Sequence, residues 1–422
     1  MKIINLYFFY LLSFTYINLS YESYLVYPFK KSTKEQKSYP ENLLQNDLEV
    51  TIKIGTPPQD IDLNLRSKLY TFFVTSSSVN LPYKLFNDKD STSLNILSKS
   101  PTNFSNMEYL TGVKISETLY INDKEIKDVS LVLATSLRYN ESGALGLRLL
   151  NSHENTDALS FIYQVKKLAN LDSYTFTLKY KNDNEGELII GAYPHIYDDK
   201  FNEKNFYYSK AGSNKNGVNW VLNFDIIKYN KKTLNLGSKK SLVNIEFGLI
   251  QAPPRYKNYF KTNFYGDKCQ EKFYKNRNVT IIHCPSNFDI TSFKPMSFIL
   301  KDIDVEFILT YEDVFVKENN EYIFGIVFDE STETSDTTWI FGKPFMKKYE
   351  LVYDLDRKII GLYKDGSSSI SGKSNTVYIV FLIILIIAVI GLVVFIVYYL
   401  KKPRKSKAFE LDDDNFDYEP SK

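Results

Sequence analysis

The sequence is poor in residues that bind metals. It contains two cysteines and three histidines in 422 residues. The histidines, His153, His195 and His283, lack the spacing of metal ligands, and two cysteines are too few for a structural zinc site. The chain also lacks a glycine-rich phosphate-binding loop and a recognisable serine or cysteine nucleophile motif. We therefore expect neither a metal nor another cofactor.

An excess of charge of one sign is also absent. Lys and Arg number 52 against 50 for Asp and Glu, which gives a formal net charge of +2. Without a basic field, nucleic acid is not an expected partner. Aromatic residues at 15% and apolar residues at 44% can form a substantial core, so we do not expect a disordered chain. The length suits two or three ordinary domains or one large two-lobed domain.

Two long uncharged runs stand out, one near each end of the chain. Residues 1–20 have one positive residue followed by an uncharged stretch, which predicts a signal peptide; a buried helix or a signal anchor is the alternative. Residues 377–400 carry no charge and as a helix would be roughly 36 Å long, enough to span a bilayer. Five Lys or Arg residues follow between 401 and 407, so the tail, 401–422, is predicted to be cytoplasmic.

These segments predict a single-pass type I protein of a secretory or cell-surface membrane, with a lumenal or extracellular body. Residues 364–376 are rich in Ser and Gly and are expected to form a stalk. In that compartment, Cys269 and Cys284 are most simply one disulfide, with two buried thiols as the alternative. Glycosylation motifs begin at Asn103, Asn140 and Asn278.

Between the two ends, the chain is a succession of short alternating runs such as LEVTIKI, YTFTLKY and VEFILTY, broken by Asn, Asp, Gly and Ser. Period-two alternation of β-branched and aromatic residues is typical of strands. The clearest helical pattern covers residues 158–171. The sequence therefore predicts a mostly β protein with one or two short helices.

Several motifs follow one another in an order that is specific to one family. They are IGTPPQ at 54–59, GALGL at 143–147, GELIIGA at 186–192, NWVLNFDII at 219–227 and WIFGKPF at 339–345. Together they resemble the pepsin-like aspartic peptidases over about 48–363. The resemblance implies a bilobal β fold with a cleft between an N-terminal lobe, 48–205, and a C-terminal lobe, 206–363. It also implies that Gly146 and Gly342 belong to elements bracing two catalytic loops.

The two catalytic Asp-Thr-Gly triplets of that family are both altered. Ungapped alignment from IGTPPQ assigns the first to Arg66, Ser67 and Lys68, and counting back from the proline at 253 assigns the second to Asn244, Ile245 and Glu246. A second register would begin the latter triplet at Glu246 and keep a carboxylate there. We prefer Asn244 because the alternative needs a two-residue deletion.

The altered triplets predict a loss of catalysis. Aspartic peptidase chemistry needs two carboxylates about 3 Å apart that share one proton. Arginine has no acceptor and stays protonated, so Arg66 cannot act as the base, and Asn244 carries no charge. We expect Arg66 and Lys68 to lie near Glu246, with an ion pair across the lobes.

Three functions therefore remain open. The preferred one is a pseudo-peptidase that binds an extended peptide or a protein in its cleft. The alternatives are a divergent active endopeptidase that uses Glu246 or Asp62, and a structural surface glycoprotein. The sequence does not specify an oligomeric state.

Two further segments of this chain differ from the pattern of the pepsin-like family, namely the flap and the segment ahead of the first lobe. The flap tyrosine position aligns with Ser105, with Tyr109 or Phe104 as shifted candidates. Ahead of the first lobe, residues 21–47 resemble only the first strand of a prosegment and a linker, so no room is left for inhibitory helices.

Overall fold

The computed structural model describes residues 24–33, 39–98, 102–103, 110–121, 124–137, 140–149, 159–214, 217–234, 240–300, 306–331 and 338–363. All of them belong to one compact unit, Met1–Ser368; a second unit, Ser369–Lys422, lies outside the described residues. The predicted signal peptide, stalk, membrane span and tail also lie outside them. Among the residues that are described, no helix is long and apolar enough to cross a membrane.

The described chain is mostly β, as predicted. The strands up to the predicted lobe boundary are β1 (Leu25–Lys31), β2 (Leu48–Ile54), β3 (Gln59–Arg66), β4 (Phe73–Thr75), β5 (Asn95–Ile96), β6 (Thr102–Asn103), β7 (Leu110–Ile121), β8 (Lys124–Leu137), β9 (Gly143–Gly146), β10 (Thr175–Tyr180) and β11 (Glu185–Ile190).

The remaining strands form the second half of the body. They are β12 (Phe206–Lys210), β13 (Gly212–Asn214), β14 (Gly217–Asn219), β15 (Val221–Tyr229), β16 (Lys232–Thr233), β17 (Lys240–Val243), β18 (Ile250–Ala252), β19 (Gln270–Tyr274), β20 (Val279–Pro285), β21 (Met296–Leu300), β22 (Glu306–Leu309), β23 (Phe315–Glu318), β24 (Glu321–Asp329), β25 (Trp339–Phe341), β26 (Val352–Asp354) and β27 (Ile359–Tyr363).

Helices are short but more numerous than the sequence suggests. They are α1 (Glu41–Leu44), α2 (Phe161–Leu168), α3 (Pro194–Tyr197), α4 (Arg255–Phe260), α5 (Tyr311–Val314) and α6 (Lys343–Tyr349), with 3-10 turns at Glu203–Asn205 and Ile290–Ser292 and a π-helical turn at Lys261–Tyr265. The expectation of one or two helices is therefore wrong. Most are only one or two turns long, too short to show a helical period in the sequence.

The helix predicted over 158–171 is α2, which is shorter at both ends. Its buried residues, Phe161, Ile162 and Val165, lie on one face. The Gln164 side chain accepts a hydrogen bond from Ser130 N and donates one to Ser130 O, at 2.6 and 2.7 Å. These contacts fix the helix against β8.

Two large sheets make up the body. The first has 14 strands in the order β12-β27-β26-β10-β11-β1-β2-β3-β9-β4-β8-β7-β5, with β6 on β7. The second has 11 strands in the order β19-β20-β24-β18-β25-β17-β15-β21-β22, with β16 on β15 and β23 on β24; β13 and β14 form a separate pair. The motif IGTPPQ is the turn of the β2–β3 hairpin, where its prolines stay out of the ladder.

The two halves of the chain meet within the first sheet. Strand β10 pairs with β26, and the rings of Phe176 and Tyr353 stack there with centroids 4.5 Å apart. Trp220 packs edge-on against both rings, and its indole N–H donates to the carbonyl of Leu147 at 2.9 Å. Because Trp220 and Tyr353 follow the predicted lobe boundary whereas Phe176 and Leu147 precede it, the two halves share one buried seam.

The predicted disulfide is present between Cys269 and Cys284, next to the β19–β20 hairpin. Of the three glycosylation motifs, Asn140 is exposed, Asn278 is partly exposed in the turn of that hairpin, and Asn103 lies on β6. Their glycosylation stays a prediction.

Candidate active-site floor

The first altered triplet follows directly from the end of β3. This strand pairs in parallel with β9, so that Arg66 lies opposite Gly146. A Cβ atom on Gly146 would lie 2.3 Å from the carbonyl carbon of Tyr70, so a side chain here would push the returning chain away. Ser67 is buried in the loop that follows, and Lys68 is exposed.

The second altered triplet has the same surroundings. Strand β17 pairs in parallel with β25, with Val243 opposite Phe341, and the next residue, Asn244, donates its N–H to the Phe341 carbonyl at 2.9 Å. A Cβ atom on Gly342 would lie 2.2 Å from the carbonyl oxygen of Phe247. Asn244 therefore occupies the same position beside β25 and Gly342 that Arg66 occupies beside β9 and Gly146. This equivalence supports Asn244 rather than Glu246 as the counterpart of Arg66.

The two triplets touch each other through hydrogen bonds. Glu246 Oε1 accepts from the backbone N–H of Ser67 at 2.9 Å and from its hydroxyl at 3.1 Å. Asn244 Oδ1 accepts from the N–H of Glu246 at 3.0 Å and lies 3.3 Å from Ser67 Oγ. Asn244 and Glu246 thus act as acceptors that hold the two loops together.

Arg66 lies at the centre of an ionic cluster. Its Nη1 is 3.1 Å from Asp47 Oδ1 and 3.3 Å from Glu246 Oε2, and its Nη2 contacts Glu141 Oε1. The predicted ion pair between Arg66 and Glu246 is therefore present. Lys68 differs from the prediction: it points to solvent and forms no ion pair with Glu246 among the described contacts.

Among the described ion pairs of this cluster, carboxyl groups outnumber cations. One guanidinium faces three carboxyl groups, and the four side chains are only 10–18% exposed. Burial raises the pKa of the Glu141 carboxyl, and the neighbouring Arg66 charge opposes this shift without cancelling it. Removing one partner from a buried ionic cluster is costly, because the others are left without compensation.

The sequence matches the family model of the eukaryotic aspartyl proteases over residues 49–364. The chain belongs to the eukaryotic aspartyl protease family. No curated protein matches it significantly. The matched range includes both predicted triplets, Gly146 and Gly342, so the aspartyl protease domain covers nearly the whole described body.

Three residues at this site of the aspartyl protease domain were not predicted from the sequence: the carboxylates Asp47 and Glu141 of the cluster, and the amide of Asn46 beside it. Asp47 precedes the matched region and Glu141 precedes β9, and nothing in their local sequence links them to Arg66. Asn46 is buried and donates to the carbonyl of Ile245 at 2.8 Å. The one signal was the arginine itself, because a largely buried guanidinium at the end of a strand requires acidic partners from elsewhere.

Within the described part of the chain, the other predicted site residues do not lie at the Arg66 cluster. Asp62 accepts a hydrogen bond from Thr51 Oγ1 at 2.7 Å within the β2–β3 hairpin. Ser105, Tyr109 and Phe104, the flap candidates, lie outside the described residues. Within the described ranges, no three His, Cys, Asp or Glu side chains are grouped to hold a metal.

Proposed function

We propose that this protein is a catalytically inactive aspartyl protease homologue that binds an extended polypeptide in its cleft without cutting it. In this proposal a signal peptide, residues 1–20, directs it to the secretory pathway, and residues 377–400 anchor it in a membrane. The observation that carries the proposal is the Arg66 cluster, which replaces a proton-sharing carboxylate pair with a permanent cation and its acceptors.

Inactivity follows from the chemistry of the groups present. The reaction needs one ionised and one protonated carboxyl group on either side of a water. Arg66 accepts no proton, and the Asn244 amide oxygen faces the Glu246 N–H. Neither residue can activate water.

Glu246 is a poor substitute for the missing base. Its Oε1 accepts two hydrogen bonds from Ser67, and its Oε2 lies against the Arg66 guanidinium. Both oxygens are therefore held by donors, and no second carboxyl group shares a proton with them in these contacts. This arrangement disfavours the alternative of a divergent endopeptidase that uses Glu246.

Two features of the domain support binding of a polypeptide, namely its glycine-braced loops and the partial exposure of the Arg66 cluster. The glycine-braced loops keep the two halves of the floor in register, and the Arg66 and Glu246 side chains remain 18% exposed. An extended peptide can then be held by main-chain hydrogen bonds and side-chain pockets.

The test uses the full-length protein in detergent, incubated with a random peptide library between about pH 3 and 6. Mass spectrometry then reads both the peptides retained by the protein and any new peptide termini. We expect retained peptides and no cleavage. Cleavage that a statine-type inhibitor blocks, and that a Glu246→Gln variant loses, would favour the endopeptidase. Neither retention nor cleavage would favour a structural glycoprotein.

A further inference from the structure

The strand that precedes the matched domain is an interior strand of the first sheet. Strand β1 pairs with β11 from Leu25↔Ile190 to Lys30↔Glu185, and on its other side with β2 from Phe29↔Val50 to Lys31↔Leu48. Withdrawal of β1 would leave two unpaired strand edges inside the sheet.

The side chains of β1 are part of the main core. Leu25, Tyr27 and Phe29 are buried, whereas the intervening residues face outward. Phe29 lies edge-on to Tyr180 with ring centroids 5.1 Å apart, and Tyr27 lies 6.2 Å from Phe161. Removing β1 would therefore expose apolar surface from both sides of the vacated position.

Residues 39–47, which follow β1, pack mainly on the opposite half of the molecule. The Leu44 carbonyl accepts from Gly248 N at 2.8 Å, and a Cβ on Gly248 would lie 2.2 Å from the Leu43 carbonyl oxygen. Leu44, with Leu43 partly buried beside it, joins a separate apolar cluster. Its other buried members, Leu249, Val279, Ile281, Ile323 and Val327, all come from the second half of the chain.

Polar contacts fix both ends of this segment. At its start, Tyr39 OH lies 3.1 Å from His283 Nε2, and Glu41 is 2.7 Å from Arg277 Nη2. At its end, Asn46 N donates to the Glu246 carbonyl at 2.9 Å, and Asp47 pairs with Arg66. The segment thus connects the two altered triplets from outside the matched domain.

From these contacts we propose that residues 24–33 and 39–47 are a permanent part of the folded protein and are not removed by proteolytic maturation. Loss of β1 would open the first sheet, and loss of residues 39–47 would remove Asp47 from Arg66 and uncover the Leu44 cluster. This inference concerns maturation, and it stands whether or not the cleft binds a peptide.

The first test reads the N-terminus of the mature protein. The full chain is produced through a eukaryotic secretory pathway with a C-terminal tag, purified from membranes, deglycosylated and analysed by intact mass and N-terminal sequencing. We expect a chain that begins at or before Tyr24. A mature chain that begins after Tyr24 and lacks the upstream peptide would overturn the proposal.

The second test cuts the connection between β1 and the following segment. A recognition sequence for a specific protease replaces residues 34–38, and the full-length protein is cut in detergent and passed over a sizing column. We expect the β1 peptide to stay with the body, or to leave only with a lower Tm of the body. Departure of the peptide with an unchanged Tm would contradict the proposal.

In this second test, matched variants distinguish release caused by lost packing of β1 from release caused by the procedure itself. Phe29→Ala in the cut protein removes a buried ring and should increase release of the β1 peptide at least several-fold. Pro28→Ala changes the adjacent exposed residue on the outward face of β1 and should leave release unchanged. Equal release from the two variants would show that the buried face of β1 does not hold it.

Discussion

At the scale of single residues, Arg66 determines what the cleft floor can do. A guanidinium keeps its proton at any relevant pH and offers only donors. The residues around it have the complementary chemistry, since Asp47, Glu141 and Glu246 all present oxygens to it. The floor is therefore organised around a cation rather than around a proton-sharing pair.

Replacing Arg66 should destabilise the fold more at neutral pH than at acidic pH. Arg66→Met removes the guanidinium that these three carboxyl groups face, and we expect a loss of about 3–5 kcal/mol in the free energy of unfolding at pH 7. The loss should shrink on acidification, because burial raises the pKa of the Glu141 carboxyl and this group can then take up a proton. Denaturant unfolding at several pH values measures both effects.

Lys68→Met is the matched control for this variant. Lys68 is two residues away and exposed, so the change should stay within about 0.5 kcal/mol. Equal effects of the two substitutions would show that the Arg66 cluster does not contribute to stability.

The sequence alone predicted one side of this cluster and missed the other. The altered triplets follow from counting residues from IGTPPQ and from Pro253, which made Arg66, Asn244 and Glu246 visible. Asp47 and Glu141 lie 19 and 75 residues from Arg66. Their contacts depend on tertiary pairing between distant segments, which no local pattern records.

At the scale of elements, each altered triplet is held by a parallel strand pair and a glycine. The β3–β9 and β17–β25 pairs place Gly146 and Gly342 where the returning chain passes at close range. These braces are close backbone approaches, so they do not depend on which side chains the supported loops carry.

Adding one methyl group to the second brace should disrupt it. In Gly342→Ala the new Cβ would lie 2.2 Å from the carbonyl oxygens of Leu249 and Phe247. Those backbone atoms cannot move without shifting β18 and the Asn244 loop, so we expect a loss of about 3 kcal/mol or more, measured by thermal or denaturant unfolding.

Gly212→Ala provides the comparison. Its Cβ would lie 3.2 Å from the Val221 side chain, a contact that small adjustments can relieve. We expect a change below about 1 kcal/mol. If Gly342→Ala were equally mild, the brace would not be the close contact described here.

Strands were more predictable than helices in this chain. An alternating pattern such as that of β2 persists over seven residues and shows in the sequence as LEVTIKI. The four-residue helices α1, α3 and α5 are too short for a 3.6-residue period to appear.

At the scale of the whole molecule, the two halves behave as one body. The β10–β26 pair, the Trp220 seam and residues 39–47 each connect one half to the other. The architecture around the Arg66 cluster is therefore continuous across the two halves.

The buried carboxyl group of Glu350 should make the stability of the whole molecule depend on pH. Glu350 directly follows α6, its side chain is 12% exposed, and its Oε2 lies 3.7 Å from Lys200 Nζ. Burial raises its pKa to about 7, and the charges of Lys200 and Lys179 oppose the shift. The folded protein therefore binds a proton between about pH 4.5 and 7 that the unfolded chain releases.

The sign of this effect is definite. The stability that the folded protein gains from protonated Glu350 is fully present below about pH 4.5 and is lost as the pH rises through about 7. Its upper value is about 3 kcal/mol. Glu350→Gln should flatten this fall in the free energy of unfolding. Parallel pH profiles of the two proteins, measured by denaturant unfolding, would show that Glu350 ionises normally in the folded state.

The most direct measurement of the central claim is the rate of peptide hydrolysis by the purified full-length protein. It is followed from about pH 3 to 6 with and without a statine-type inhibitor, beside the Glu246→Gln variant. We predict the same rate as buffer alone for both proteins, because Arg66 leaves no carboxyl pair to share a proton. Inhibitor-sensitive hydrolysis by the unmodified protein that disappears in Glu246→Gln would contradict the account.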